Sequence, residues 1–190
     1  MYDNNDVIDF IGQYQIQEDL CDKLNQYFHD NKELQAPGEY VGGSDPSMKE
    51  STDIGIRAEF AEEPVYSYRM ELQECVNSYC KDYPEVSNLH HFNVVEGFNI
   101  QYYKPTQGYK TQHAERMGNF DKTLKRCLVF MTYLNTLDAG GTIFTNYNKV
   151  INAKKGRTLI WPSDWTHTHK GQISNDQEKY IITGWLSYTW

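Results

Sequence analysis

The 190-residue chain has no run of 18 apolar residues, so no membrane-spanning helix is expected. Cysteine is sparse. Cys21, Cys75, Cys80 and Cys127 form neither a CxxC pair nor the dense spacing of a disulfide framework. Free thiols in a reducing cytoplasm are therefore the expectation. Positive charge is also short: 18 Lys and Arg face 26 Asp and Glu, for a net charge of -8. That balance excludes the basic field on which non-specific nucleic-acid binding depends. The opening residues, Met1-Tyr2-Asp3-Asn4-Asn5-Asp6, lack the basic and apolar regions of a signal peptide. Internal repeats and low-complexity tracts are absent as well.

Aromatic residues are what the chain has in quantity. They make up 14% of it, with 15 tyrosines, and they offset an apolar content of only 39% because each buries a large area. The length predicts one domain over 1–190, with helical support and a loop over 1–88 and a β-rich core over 89–190. Residues 17–31 read as a helix, since Leu20, Leu24 and Phe28 recur every four positions. A second helix is expected over 64–82, with Pro64 in its first turn and Met70, Leu72, Val76, Tyr79 and Cys80 as its core-facing stripe. Between the two lies a stretch rich in Gly, Pro, Ser and Asp, residues 36–55, which reads as a loop long enough to serve a function. A short strand or turn is expected within 1–16.

From about residue 91 the texture changes to short apolar runs set off by glycines. Strands are expected near 92–95, 98–103, 125–135, 143–144, 150–151, 157–161 and 180–188. Many short strands with Gly-rich turns imply a sandwich or a jelly roll, so the fold class is mainly β with flanking helices.

Three side chains in this region point to metal chemistry. Residues i and i+2 of a strand share a face, so His113 and Glu115 would project into one pocket. A further histidine would complete a two-histidine, one-carboxylate set, and both His167 and His169 are candidates. Such a triad covers one face of an octahedron and suits Fe(II) in oxygenases, because positions stay open for a chelating 2-oxo acid and for O2. A fully ligated zinc site offers no such positions.

The ordered motifs resemble the prolyl 4-hydroxylase-like branch of the Fe(II)/2-oxoglutarate-dependent dioxygenases, in particular its short viral and bacterial members. The resemblance covers about residues 98–187 and rests on five segments: Gln101-Tyr102-Tyr103-Lys104-Pro105 leading to His113-Ala114-Glu115; Tyr133-Leu134-Asn135; Gly140-Gly141-Thr142 with Phe144; Lys154-Lys155-Gly156-Arg157; and His169-Lys170-Gly171 with Lys179 ten residues on. It implies a double-stranded β-helix core, Fe(II) held by His113, Glu115 and His169, and 2-oxoglutarate held by Lys179 with Tyr103, Tyr133 and Thr183. Ascorbate is implied as a candidate reductant. The implied reaction hydroxylates a C–H bond of peptidyl proline, with succinate and CO2 as coproducts. A peptide or protein substrate, O2, no nucleic acid, no membrane, and a monomer or homodimer follow as expectations, in the host cytoplasm for a viral protein. The alternatives are the same chemistry on another amino acid or small metabolite, or a metal-binding jelly-roll module without turnover. One departure stands out: the family's carboxylate is usually Asp, and here it is Glu115. The stretch 36–55, the loop from Arg116 to Thr123 and Trp165-Thr166-His167 are the expected substrate-facing elements, with His167 at the mouth of the site.

Overall fold

The computed structural model describes residues 8–40, 43–117 and 121–189. Strands β1 (Gly12–Gln15), β2 (Gln35–Pro37), β3 (Lys49–Glu50), β4 (Thr52–Ile56), β5 (Phe92–Asn93), β6 (Phe98–Tyr103) and β7 (Gly108–Tyr109) precede β8 (Arg126–Tyr133). They are followed by β9 (Thr142–Phe144), β10 (Lys149–Ile151), β11 (Arg157–Pro162), β12 (His169–Gly171) and β13 (Lys179–Tyr188). The helices are α1 (Glu18–Asp30), α2 (Val65–Asp82), α3 (Glu85–Leu89) and α4 (Asp121–Leu124).

The large sheet runs β1-β11-β8-β13-β6-β4-β2, with β5 paired to the end of β13. Its neighbours are antiparallel throughout. A small sheet, β10-β9-β12, and the pair β3-β7 complete the strands. The two-residue period sorts the large sheet into two buried faces. Ile100, Leu128, Phe130 and Ile182 pack with Leu20, Leu24 and Phe28 of α1 and with Val65, Tyr68 and Leu72 of α2. Tyr103, Val129, Met131, Tyr133, Leu159, Trp161 and Ile181 point the other way, toward Phe144 and Ile151 of the small sheet. A sheet buried on both faces explains why β8 reads as continuous apolar sequence. The result is a jelly roll whose outer face is covered by the N-terminal helices and whose inner face holds the site.

Three expectations need correction. The stretch 36–55 is not a plain loop: it supplies parts of β2 and β4 and the whole of β3. Its polar composition hid a half-buried strand. Ile54 is fully buried on one face, while Asp53 on the other is matched by Lys49 at 2.7 Å and by the Ser51 hydroxyl at 2.7 Å. In α2, Met70 is exposed, and the buried stripe is Val65, Tyr68, Leu72, Cys75, Val76 and Tyr79. Pro64 lies just outside that helix, as its N-cap, and not in its first turn. In the expected N-terminal stretch, 1–7 lie outside the described residues and β1 follows at Gly12. All four cysteines are free. Among the described residues, no helix is long and apolar enough to cross a membrane.

Candidate active site

The inner face of the large sheet opens on a cavity of about 240 Å³. Two strand-like segments bring its central residues together. His113 and His169 form an antiparallel bridge, each backbone N–H donating to the other's carbonyl at 2.9 Å. Glu115 follows two residues after His113 and projects into the same space. The result is a cluster of His113, Glu115 and His169 whose ligand atoms all lie within 4.8 Å of one another.

The donors are oriented as a metal would require. His113 Nδ1 sits 3.0 Å from the Thr111 carbonyl, and His169 Nδ1 sits 2.9 Å from the His167 carbonyl. A carbonyl can only accept, so each Nδ1 carries the proton and each Nε2 keeps its lone pair. Those two Nε2 atoms face Glu115 Oε1 at 3.3 and 3.6 Å. These separations exceed a charge-assisted hydrogen bond, at roughly 2.7–2.9 Å. They come near the roughly 3 Å expected of atoms bound at right angles to one ion at about 2.1 Å. Burial holds His169 below its usual pKa, which favours the neutral, ligating imidazole. The donor set therefore fits a divalent first-row ion with positions left open.

Aromatic rings fix the histidines. Tyr109 stacks on His113 at 3.7 Å between ring centroids, and Trp161 meets His169 edge-on at 5.0 Å. Glu115 Oε2 accepts a hydrogen bond from Trp185 Nε1 at 2.8 Å and lies 3.5 Å from the Arg126 guanidinium.

Lys179 lines the same cavity, on β13 directly across from Tyr103 on β6. It is buried, and burial pushes its ammonium down to about 8. Its Nζ lies 5.3 Å from the centre of the Tyr103 ring, and no carboxylate pairs with it among the described residues. A buried cation without a counter-ion is costly, so this one is a ready receptor for an anion. The Tyr103 hydroxyl donates to Gln101 Oε1 at 2.6 Å. Tyr133 is fully buried, its hydroxyl 2.7 Å from Thr142 Oγ1 and 3.2 Å from the Ile151 carbonyl. Thr142, not Tyr133, lines the cavity. Thr183 lines it too, but its hydroxyl donates to the Phe130 carbonyl at 3.0 Å.

His167 does not line the mouth of the site as expected. Its Nε2 lies 2.8 Å from the Asp9 carbonyl and 3.2 Å from the Tyr147 hydroxyl, so it ties the N-terminal segment to the small sheet. His167 closes a short 3-10 turn and His169 opens β12, so the two rings meet different neighbours, which the spacing alone did not reveal. Arg116 is committed to structure as well, donating to the Leu124 carbonyl and to Asp164. Part of its loop, 118–120, lies outside the described residues. Sequence reasoning missed Arg126, Trp185 and the Lys49–Asp53 pair. Trp185 was within reach: it shares the face of Lys179, Ile181 and Thr183 by the two-residue period.

Residues 98–187 match the family model of the 2OG-Fe(II) oxygenase superfamily. The matched span is just under half of the chain and takes in His113, Glu115, His169 and Lys179. Among solved structures it is similar to the viral collagen prolyl hydroxylase of Paramecium Bursaria Chlorella virus-1, with a TM-score of 0.72, 19% identity, and coverage of 95% of this chain and 97% of that one. A Pseudomonas putida prolyl-4-hydroxylase gives 0.69 at 15% identity, covering 95% and 93% of the two chains. A Trichoplax adhaerens prolyl hydroxylase, in complex with a hypoxia inducible factor peptide fragment, gives 0.69 at 18% identity, covering 94% and 84%. No curated protein matches the chain.

Proposed function

We propose that the protein hydroxylates peptidyl proline, using Fe(II) held by His113, Glu115 and His169 and 2-oxoglutarate held by Lys179, with succinate and CO2 as coproducts. The observation that carries this reading is the convergence of two imidazole lone pairs and one carboxylate oxygen beside a buried lysine that has no anion of its own. The bound iron supplies the oxygen chemistry and lies beyond what any side chain here can do alone.

The chain's own residues prepare the reactants. Lys179 pairs with the distal carboxylate of the oxo-diacid, which offsets the cost of burying its charge. Tyr103 forms the wall beside that pair. Tyr133 acts on it through Thr142, whose hydroxyl it steadies. Thr183 forms part of the cavity wall, with its hydroxyl proton committed to the Phe130 carbonyl and not to the anion. The cavity walls, Ile181, Met131 and Trp161, keep bulk water from the reacting centre.

Proline as the target is supported by the kind of protein that shares the fold, three prolyl hydroxylases, one of them with a peptide bound. Glu39 and Tyr40 line the cavity from the 36–55 stretch and are the residues that would meet a substrate there. The test is incubation of the iron-loaded protein with 2-oxoglutarate and a panel of proline-containing peptides, read by mass spectrometry. One added oxygen atom on proline supports the assignment. Succinate formation with oxygen delivered only to another residue or to a small metabolite refutes proline while keeping the chemistry.

A further inference from the structure

Glu115 carries its carboxylate on a two-methylene arm. Such an arm can swing, and a swinging carboxylate can grip an ion with both oxygens. That would occupy a position that 2-oxoglutarate or O2 needs. The structure shows what restrains it. Oε2 is engaged by the Trp185 indole N–H at 2.8 Å, while Oε1 is the oxygen that faces both histidines. Trp185 is itself held from behind. The Arg126 guanidinium lies over its ring, 3.5 Å from the centroid. Arg126 is in turn locked by two parallel hydrogen bonds to Glu96, each 2.9 Å, and also donates to the Glu115 carbonyl at 3.2 Å.

The charges in this chain of contacts are matched. Glu96 neutralises Arg126, so the guanidinium 3.5 Å from Oε2 does not cancel the charge that Glu115 offers to a cation. The closest donor to Oε2 is an uncharged indole. Arg126 and Glu96 are both buried, which makes their pairing rigid and keeps water from replacing either one.

The geometry points to Trp185 as a positioning residue that, backed by Arg126 and Glu96, holds Glu115 as a one-oxygen ligand. This rests on the reading of His113, Glu115 and His169 as a metal site. Trp185 touches the ligand and not the reacting atoms, so its effect is on metal binding first and on turnover second.

Cobalt(II) is a suitable probe, because its affinity and visible absorption can be measured without turnover. Trp185→Phe keeps an aromatic ring for Arg126 to cover while removing the N–H donor together with part of the indole volume. It is expected to lower cobalt affinity about 10- to 100-fold, the usual range for loss of a hydrogen bond to a ligand, and to alter the absorption bands. His169→Ala is the control and is expected to abolish binding. If His169→Ala binds cobalt like wild type, the metal reading itself fails. If His169→Ala loses cobalt while a cooperatively melting Trp185→Phe binds it with wild-type affinity, the positioning role is overturned and the metal site stands. Wild-type protein gives a second readout that needs no substitution. With zinc(II) as a diamagnetic probe, the Trp185 indole N–H is expected to exchange far more slowly by NMR than that of exposed Trp165. Equal exchange at the two indoles would overturn the proposal even if Trp185→Phe did not fold.

Discussion

Two histidines two residues apart do different work here, and the difference lies in what each ring nitrogen meets. His169 keeps a free Nε2 directed at Glu115, whereas the Nε2 of His167 is spent on the Asp9 carbonyl and Tyr147. His169→Ala is therefore expected to empty the site of metal, as read by elemental analysis. His167→Ala should keep the metal and lose about 1–3 kcal/mol of stability in denaturant titration, since it leaves buried hydrogen-bonding groups unsatisfied. Lys179 makes a second prediction at this scale. Its folded value, about 8, lies below its ordinary 10.5, so the folded state resists a proton that the unfolded chain accepts. The resulting penalty is fully present below pH about 8 and fades as the pH rises through about 10.5. Lys179→Met should therefore raise the apo melting temperature at pH 7, with the gain shrinking toward pH 10, while sharply raising the KM for 2-oxoglutarate. For the wild type, the KM should climb as the pH passes about 8 and the ammonium loses its charge. A KM that stays flat from pH 7 to 9 would remove Lys179 from the binding role.

At the scale of the element, β13 is the organiser. Its inner face carries Lys179, Ile181, Thr183 and Trp185, linking the anion end of the cavity to the metal end along one strand. Its other face packs against the helices, and there Gly184 has no room for a side chain. A Cβ at that position would lie 2.4 Å from Phe98 Cβ and 2.5 Å from the edge of the Phe130 ring. Gly184→Ala is expected to cost on the order of 1–3 kcal/mol by overpacking, measured by chemical denaturation, and to weaken metal binding only through the shifted strand. Much of β13 could be read from sequence, because Tyr180 to Tyr188 is a β-branched and aromatic run that follows a polar stretch. β4 could not. Its inward Asp53 reads as a loop residue until Lys49 and Ser51, which neutralise and bond it, are seen beside it. The His113–Glu115 pair was legible from its two-residue spacing, although the structure puts it on an isolated bridge and a bend instead of a strand. Arg126 was hidden because its partners, Glu96 and Glu115, lie 30 and 11 residues away and meet it only through the packing of β13 against β8.

Across the whole molecule, the division of labour follows the two faces of one sheet. Helices α1 and α2 bury the outer face; the inner face, with the small sheet opposite, holds the cavity lined by Lys179 and by the His113, Glu115 and His169 cluster. The acidic surface, at a net charge of -8, sets the interior lysine apart from its surroundings and suits a site that draws its anion inward by local pairing and not by a long-range field. The most direct measurement of the central claim is succinate released from 2-oxoglutarate by wild-type protein and by His113→Ala, each with ferrous iron and O2. The account predicts iron-dependent succinate from the wild type and none above background from the variant. Equal succinate from both, or none from wild type shown to hold iron, would contradict it.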